Sequence, residues 1–187
     1  MIGFWAASLN KTFSNSKPRR GSFRGGRGRK MSTFNPSQFI NTNPVERAQE
    51  VYTPKHTFGT FGLNKQLVST VSSLKMTSPT PIQDQIIPEI LKKRDVVGLA
   101  ETGTGKTAAF LLPLIENTIQ ESKRQTLILA PTRELAIQIS GELRKLSRGL
   151  KIYHAVCVGG VSIFPQIKAL RHTNQFIIGT PGRMLDL

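Results

Sequence analysis

A chain of 187 residues with a formal net charge of +15 has room for one domain of ordinary size plus a tail, and its charge favours a polyanionic partner. An anionic membrane surface fits that charge nearly as well as a nucleic acid does. One cysteine, Cys157, excludes an internal disulfide and points to a reducing, cytoplasmic setting, and no apolar run nears the roughly 20 residues that span a bilayer.

The charge is unevenly spread. Residues 1–45 hold eight Lys or Arg and no acidic residue, which leaves +7 for the remainder. Residues 10–45, rich in Asn, Ser, Gly, Arg and Lys, bury too little apolar surface to offset the entropy of ordering, so residues 1–45 are expected to be a disordered basic tail. Within it, Arg20–Lys30 (RGSFRGGRGRK) alternates guanidinium groups with glycine and includes Phe23. Arginine pairs with phosphates and stacks on bases, and glycine lets the backbone follow a single strand of RNA. A solubilising tail without a dedicated ligand is the competing reading. Met1–Leu9 is apolar but lacks the positive start of a secretory signal; a mitochondrial-type presequence stays open, with the clustering of basic residues in a Gly-rich repeat against it.

The folded part is expected to begin between Val45 and Phe58, with residues 46–92 a helical region and 93–187 the core domain. Leu63, Leu67, Val71 and Leu74 make a helical stripe that Pro79 and Pro81 end, and a second helix runs from Ile82 to about Leu91, interrupted by Pro88. Beside them stand Phe58, Thr80 and Gln83. A planar amide matches the N6 and N7 edge of adenine, and a phenyl ring can stack on the base. Taken alone, a Gln after proline is simply a helix start.

The stretch around which the chain is organised is Ala100, Glu101, Thr102, Gly103, Thr104, Gly105, Lys106 and Thr107. An apolar run expected as a strand, Val96–Ala100, precedes it, and a helix expected over Lys106 to about Gln120 follows. Gly103 and Gly105 permit positive φ, so that backbone N–H groups turn inward where the positive helix end also points. Lys106 then reaches the β- and γ-phosphates and Thr107 offers its hydroxyl to Mg²⁺. Gly103, Gly105 and Ala108 also spell a dinucleotide fingerprint, but the next strand, Thr126–Ala130, ends in Pro131, Thr132 and Arg133 where that reading needs an acid for the ribose. A Gly-rich turn without a ligand is the other competitor.

Further strands are expected at Thr126–Ala130, Ile152–Val158 and Phe176–Gly179, alternating with helices from Pro131 to about Ser147 and from about Phe164 to Arg171. This alternation implies an α/β fold, a parallel sheet with helices on both faces and ligands at the carboxyl ends of the strands. Four turns are expected on that edge: the phosphate loop, Pro131–Thr132–Arg133, Gly159–Gly160 and Thr180–Pro181–Gly182–Arg183. Two of them pair a Thr hydroxyl with an Arg, which suits a sugar-phosphate backbone. Cys157, in an apolar run, is expected as a buried structural thiol, and His56, His154 and His172 lack metal-ligand spacing.

From Phe58 to Leu187 these motifs, in order and spacing, resemble the first RecA-like P-loop domain of a DEAD-box RNA helicase. Phe58 with Pro79–Gln83 is similar to the adenine-recognising Q motif, although the Gly-Phe that usually opens it is Lys75-Met76; in the phosphate loop Glu101 stands where Gln is usual. The resemblance implies ATP selection by Phe58 and Gln83, binding of triphosphate and Mg²⁺ by Lys106 and Thr107, and RNA-backbone contacts by Thr132, Arg133, Gly160, Thr180 and Arg183. It further implies local duplex unwinding with little sequence preference. The family's Asp-Glu-Ala-Asp motif and second domain are not found before Leu187, and none of Glu116, Glu121, Glu134, Glu142 and Asp186 ends an apolar strand as a Mg²⁺ ligand should. The expectation is therefore an incomplete domain at the carboxyl end, the amino-terminal stretch of a longer helicase, binding ATP and RNA without turnover. A non-catalytic RNA-binding protein is the alternative.

Deleting residues 1–45 is expected to weaken RNA binding and flatten its salt dependence, by about 0.7 in the log–log slope for each lost phosphate contact. Titrations of single-stranded RNA at several salt concentrations measure this; an unchanged slope returns the tail to its solubilising role.

Overall fold

Asn64 starts the first helix, its side-chain oxygen accepting the N–H of Gln66 at 2.9 Å, and the helix stripe read from the sequence follows as α1 (Lys65–Ser73), with Leu67 and Val71 buried. This is a computed structural model that describes residues 52–187; the readings made for residues 1–51, the basic tail and targeting segment among them, lie outside the described residues. Tyr52–Leu187 pack as one compact unit. After α1 come α2 (Pro81–Leu91), α3 (Lys106–Gln120), β1 (Thr126–Leu129), α4 (Arg133–Leu146), β2 (His154–Cys157), α5 (Phe164–Leu170), β3 (Phe176–Gly179) and α6 (Pro181–Asp186).

α1 and α2 end in the same way. Met76 N–H bonds to Val71 C=O and Lys75 N–H to Ser72 C=O, while Arg94 N–H bonds to Glu89 C=O and Lys93 N–H to Ile90 C=O. Each pair is a Schellman motif, which closes the last carbonyls by sending one residue into the left-handed region. Lys75 (φ 60°) and Lys93 (φ 61°) occupy that position, where glycine is the unstrained choice. The Gly-Phe that usually opens the motif this stretch resembles, where this chain has Lys75-Met76, thus has a backbone reason: glycine would relieve strain at the first position, and the second packs against the core.

Pro88 does not interrupt α2, contrary to expectation; the helix continues through it to Leu91. A proline in mid-helix forfeits one hydrogen bond, here to the Asp84 carbonyl, and α2 is held by burial of Ile87 and Ile90 along α3. α3 likewise carries Pro113 within a run of buried residues from Leu111 to Thr118.

Among the described residues the sheet has three parallel strands in the order β1-β3-β2, with Leu129, Gly179 and Cys157 level at their carboxyl ends. The chain moves across the sheet from β1 to β2 through α4 and back to β3 through α5, so right-handed crossovers put these helices on opposite faces. On one face Ile128, Ile178 and Val156 align and join the core with Ala136, Ile139 and Leu143 of α4. On the other Ala155 and Cys157 are buried, and Met184 of α6 lies against Gly179. Cys157 is buried, as expected, and burial pushes its thiol up against the opposing pull of the Arg183 charge. His154 is held low by burial and then by Arg144, and its Nε2 lies 2.8 Å from Ser140 Oγ.

The strand expected at Val96–Ala100 joins no ladder among the described residues. Its neighbour is α2: a side chain on Gly98 would meet Ile86 Cδ1 at 2.5 Å, whereas Val97 and Leu99 are exposed. An apolar run becomes a strand only where another strand takes up its N–H and C=O groups, and the sheet edge does not reach this segment.

Lys75→Gly is expected to raise stability by about 0.5–1 kcal/mol, the relief of left-handed strain less the added chain entropy. Urea denaturation of the two chains measures it; a loss of stability would show that Lys75 contributes through its side chain.

Candidate functional site

The loop between Ala100 and Lys106 has the backbone that phosphate binding requires. Gly103 (φ 84°) and Gly105 (φ 85°) both adopt the left-handed region, and Gly105 is the N-cap of α3, so the free N–H groups of the first helical turn open onto the loop. Lys106 folds back, its Nζ donating to the carbonyls of Ala100 and Glu101. Two carbonyl dipoles thereby hold the ammonium, for which phosphate oxygens, with full charge, would be stronger partners. Thr104 Oγ1 donates to Glu101 C=O at 2.8 Å and closes the turn.

Gln83 joins this loop to α2. Its Oε1 accepts the Thr80 N–H at 3.0 Å and its Nε2 donates to Gly105 C=O at 3.2 Å. The same carbonyl accepts the N–H of Ala109 in α3. A Cβ on Gly105 would overlap Gln83 Nε2, so a side chain here would have to displace that amide in addition to the strain of its φ. Thr80 Oγ1 is buried beside it without a hydrogen-bond partner. An orphaned hydroxyl, a backbone cradle that a methyl group would fill and a lysine resting on carbonyls together fit a polyphosphate nucleotide.

Phe58 lies in the core, 5% exposed and edge-on to Phe61 at 6.0 Å between ring centres. Its ring is therefore a buried wall and not a free stacking plate. Next to Gln83, Asp84 is also buried, and its oxygens accept from Tyr52 Oη, the N–H groups of Lys55 and His56, and His56 Nδ1. Burial alone would push this carboxyl up; the hydrogen bonds outweigh it and hold the group down at about 2. The Asp84 contacts were not legible in the sequence, because the partners stand 28–32 residues upstream and share no motif with it.

Three of the four expected turns meet at one sheet edge. Pro131–Arg133 follow β1, Gly159–Gly160 follow β2 and Thr180–Arg183 follow β3, with Ala130 N–H bonded to Gly179 C=O and Thr180 N–H to Cys157 C=O just beyond the strands. Gly160 (φ 72°) packs so closely on Arg133 that a Cβ there would overlap its guanidinium. Thr132 caps α4, its Oγ1 accepting Leu135 N–H at 3.2 Å. Thr180 is the N-cap of α6 without a side-chain bond, and Pro181 and Gly182 are exposed. Arg183 points inward: Nη1 and Nη2 both donate to Val161 C=O at 3.2 Å, and its side chain is 11% exposed. It braces the Gly159–Gly160 turn, while Arg133 faces solvent. The phosphate loop does not join this edge through a ladder, since Val96–Ala100 pairs with no strand among the described residues.

Parallel strands linked by helices on both faces, with a loop of this conformation at a helix N-terminus, are the features of a RecA-like P-loop domain. Residues 80–187 match the sequence profile described as DEAD/DEAH box helicase, and the chain belongs to that family. It is 48% identical over 130 residues to the ATP-dependent RNA helicase CshA of Listeria monocytogenes, an alignment covering 69% of this chain and 25% of that protein. Among solved structures it is similar to a DEAD box protein from Methanococcus jannaschii (TM-score 0.65, 40% identity, 70% of this chain and 36% of that one). It is equally similar to the RNA helicase Prp28 of Chaetomium thermophilum bound to ADP (TM-score 0.65, 42% identity, 73% and 35%). The chain thus spans about a quarter of the length of the curated relative and about a third of the solved ones.

Gly105→Ala is expected to lower stability by about 1–2 kcal/mol through left-handed strain alone. Adding Gln83→Ala removes the steric part, so the two changes are expected to be non-additive in urea denaturation. Simple additivity would mean that the amide and the loop do not touch in solution.

Proposed function

We propose that this chain is the ATP- and RNA-binding part of an ATP-dependent RNA helicase. The observation that carries the reading is the juxtaposition of Arg133 with Gly160 beside Thr180–Arg183 at the ends of three parallel strands, on the same chain as a loop shaped for phosphates. RNA would lie across that edge, its backbone meeting the exposed Arg133 and the turn N–H groups, with Thr132, Gly159, Thr180, Pro181 and Gly182 lining the path. Contacts to backbone read no bases, so sequence preference is weak. Arg183 contributes by holding the Gly159–Gly160 turn in place.

ATP would bind with its phosphates over residues 100–107 and its base toward Thr80, Gln83 and the buried wall of Phe58. Lys106 would exchange the carbonyls of Ala100 and Glu101 for phosphate oxygens, and Thr107 would give its hydroxyl to Mg²⁺. The bound Mg²⁺ would neutralise charge on the phosphates. That the similar RNA helicase Prp28 is bound to ADP supports a nucleotide as ligand. The described strands end in Leu129, Cys157 and Gly179, none of which carries a carboxylate to orient water, so these residues are proposed to bind without turnover. The lone cysteine suits a cytoplasmic setting.

Lys106→Ala is expected to weaken ATP binding at least about tenfold, roughly 1.4 kcal/mol, while leaving RNA binding intact. Arg133→Ala is expected to do the reverse and to lower the salt slope of RNA binding by about 0.7. Calorimetric titration with ATP and fluorescence titration with single-stranded RNA check both. RNA-stimulated phosphate release by these residues alone would overturn the absence of turnover, and an unchanged ATP affinity in Lys106→Ala would overturn the phosphate site.

A further inference from the structure

Two consecutive residues of α2 hold two different segments of the chain. Gln83 locks the phosphate loop, as described. Asp84 gathers four donors from one short segment: Tyr52 Oη at 2.5 Å and Lys55 N–H at 2.8 Å on Oδ2, His56 N–H at 3.1 Å and His56 Nδ1 at 2.7 Å on Oδ1. A carboxylate has about four lone-pair sites, so its accepting capacity is filled by residues 52–56 alone. That segment belongs to no helix or strand. Its backbone N–H groups at Lys55 and His56 find in Asp84 the acceptor that a ladder would otherwise supply.

The strap leads directly into the wall of the proposed base site. Thr57 N–H donates to Thr60 Oγ1 at 2.9 Å, and that hydroxyl donates back to Thr57 C=O at 3.0 Å, a turn that drives Phe58 and Phe61 into the core. The His56 ring lies 5.3 Å from that of Phe61, which in turn meets Phe58 edge-on. A contiguous chain of contacts therefore runs from the Asp84 carboxylate through His56 and Phe61 to Phe58. A buried charge is costly unless fully partnered, and here every partner comes from the strap, so releasing the strap is strongly opposed.

We propose that Asp84 is a positioning residue that fixes the base-selecting wall of the site, so that a purine nucleotide with an adenine edge meets a preformed surface. The proposal rests on the reading of Phe58 and Gln83 as the base site. Preorganisation of this kind acts on affinity and selectivity by removing the ordering cost that binding would otherwise carry.

The test uses the whole chain with ATP and GTP as probes, comparing wild type, Asp84→Asn and Asp84→Glu by calorimetry, with hydrogen–deuterium exchange as a second readout. Asp84→Asn is expected to lose amide protection across residues 52–58 and to reduce the ratio of ATP to GTP affinity about tenfold, with Asp84→Glu restoring part of both. Lost protection with an unchanged ratio would overturn the positioning role, and retained protection would overturn the strap itself. Where circular dichroism shows Asp84→Asn to be unfolded, Tyr52→Phe, which keeps the carboxylate, takes its place. A two- to threefold fall in the ratio is then expected, and no change overturns the proposal. Equal affinity of the wild-type chain for ATP and GTP would instead overturn the base-site reading, an outcome separable from all of these because it needs no variant.

Discussion

The contact on which the Gly-rich loop before α3 depends is the hydrogen bond from the Gln83 amide to the carbonyl of Gly105. That carbonyl is the first acceptor of α3, and the residue that carries it is left-handed, so one side chain of α2 sets both the entry of the helix and the pitch of the loop before it. Gln83 is in turn fixed through the Thr80 N–H, at the point where Pro81 begins α2. A Cβ at Gly105 would have to displace that amide. A buried, hydrogen-bonded amide in van der Waals contact with a loop is a rigid reference for whatever the loop holds.

The arginines at the sheet edge divide their labour in a way that follows from burial. Arg183 spends both terminal nitrogens on Val161 C=O and is largely covered, which makes it part of the scaffold. Arg133 is exposed and lies over a glycine whose positive φ lets the backbone come that close. An exposed guanidinium backed by a rigid turn keeps its fork geometry available for phosphate, whereas a covered one cannot meet a ligand without breaking its own bonds. The RNA-contact set implied by resemblance thus contains two kinds of residue, one facing solvent and one bracing the turn beside it.

The α1–α2 region shows how local strain coexists with a well-defined fold. Both helices close through Schellman motifs with lysine in the left-handed position, and both are held by burial of their apolar faces. Mid-helix prolines in α2 and α3 are tolerated for the same reason: each helix packs along the other, and lost backbone bonds are outweighed by apolar burial. Asp84 fills all of its accepting positions from the strap of residues 52–56, at the start of the described residues.

Much of this was legible in the order of residues because it is local. Gly103 and Gly105 at positive φ, the boundaries of α3, the strand Phe176–Gly179 and the turns that follow each strand all depend on neighbours within a few positions, where spacing and residue type carry the signal. Tertiary structure alone decided the rest. Whether Val96–Ala100 becomes a strand depends on a partner strand, whether Pro88 breaks α2 depends on what α2 packs against, and how far Phe58 and Arg183 are covered depends on what packs over them. The convergence of Tyr52, Lys55 and His56 on Asp84 depends on contacts across about 30 residues. Periodicity and motifs report the backbone's local preference, but burial and hydrogen-bond partnership are set by the packing of distant segments, and no local pattern encodes them.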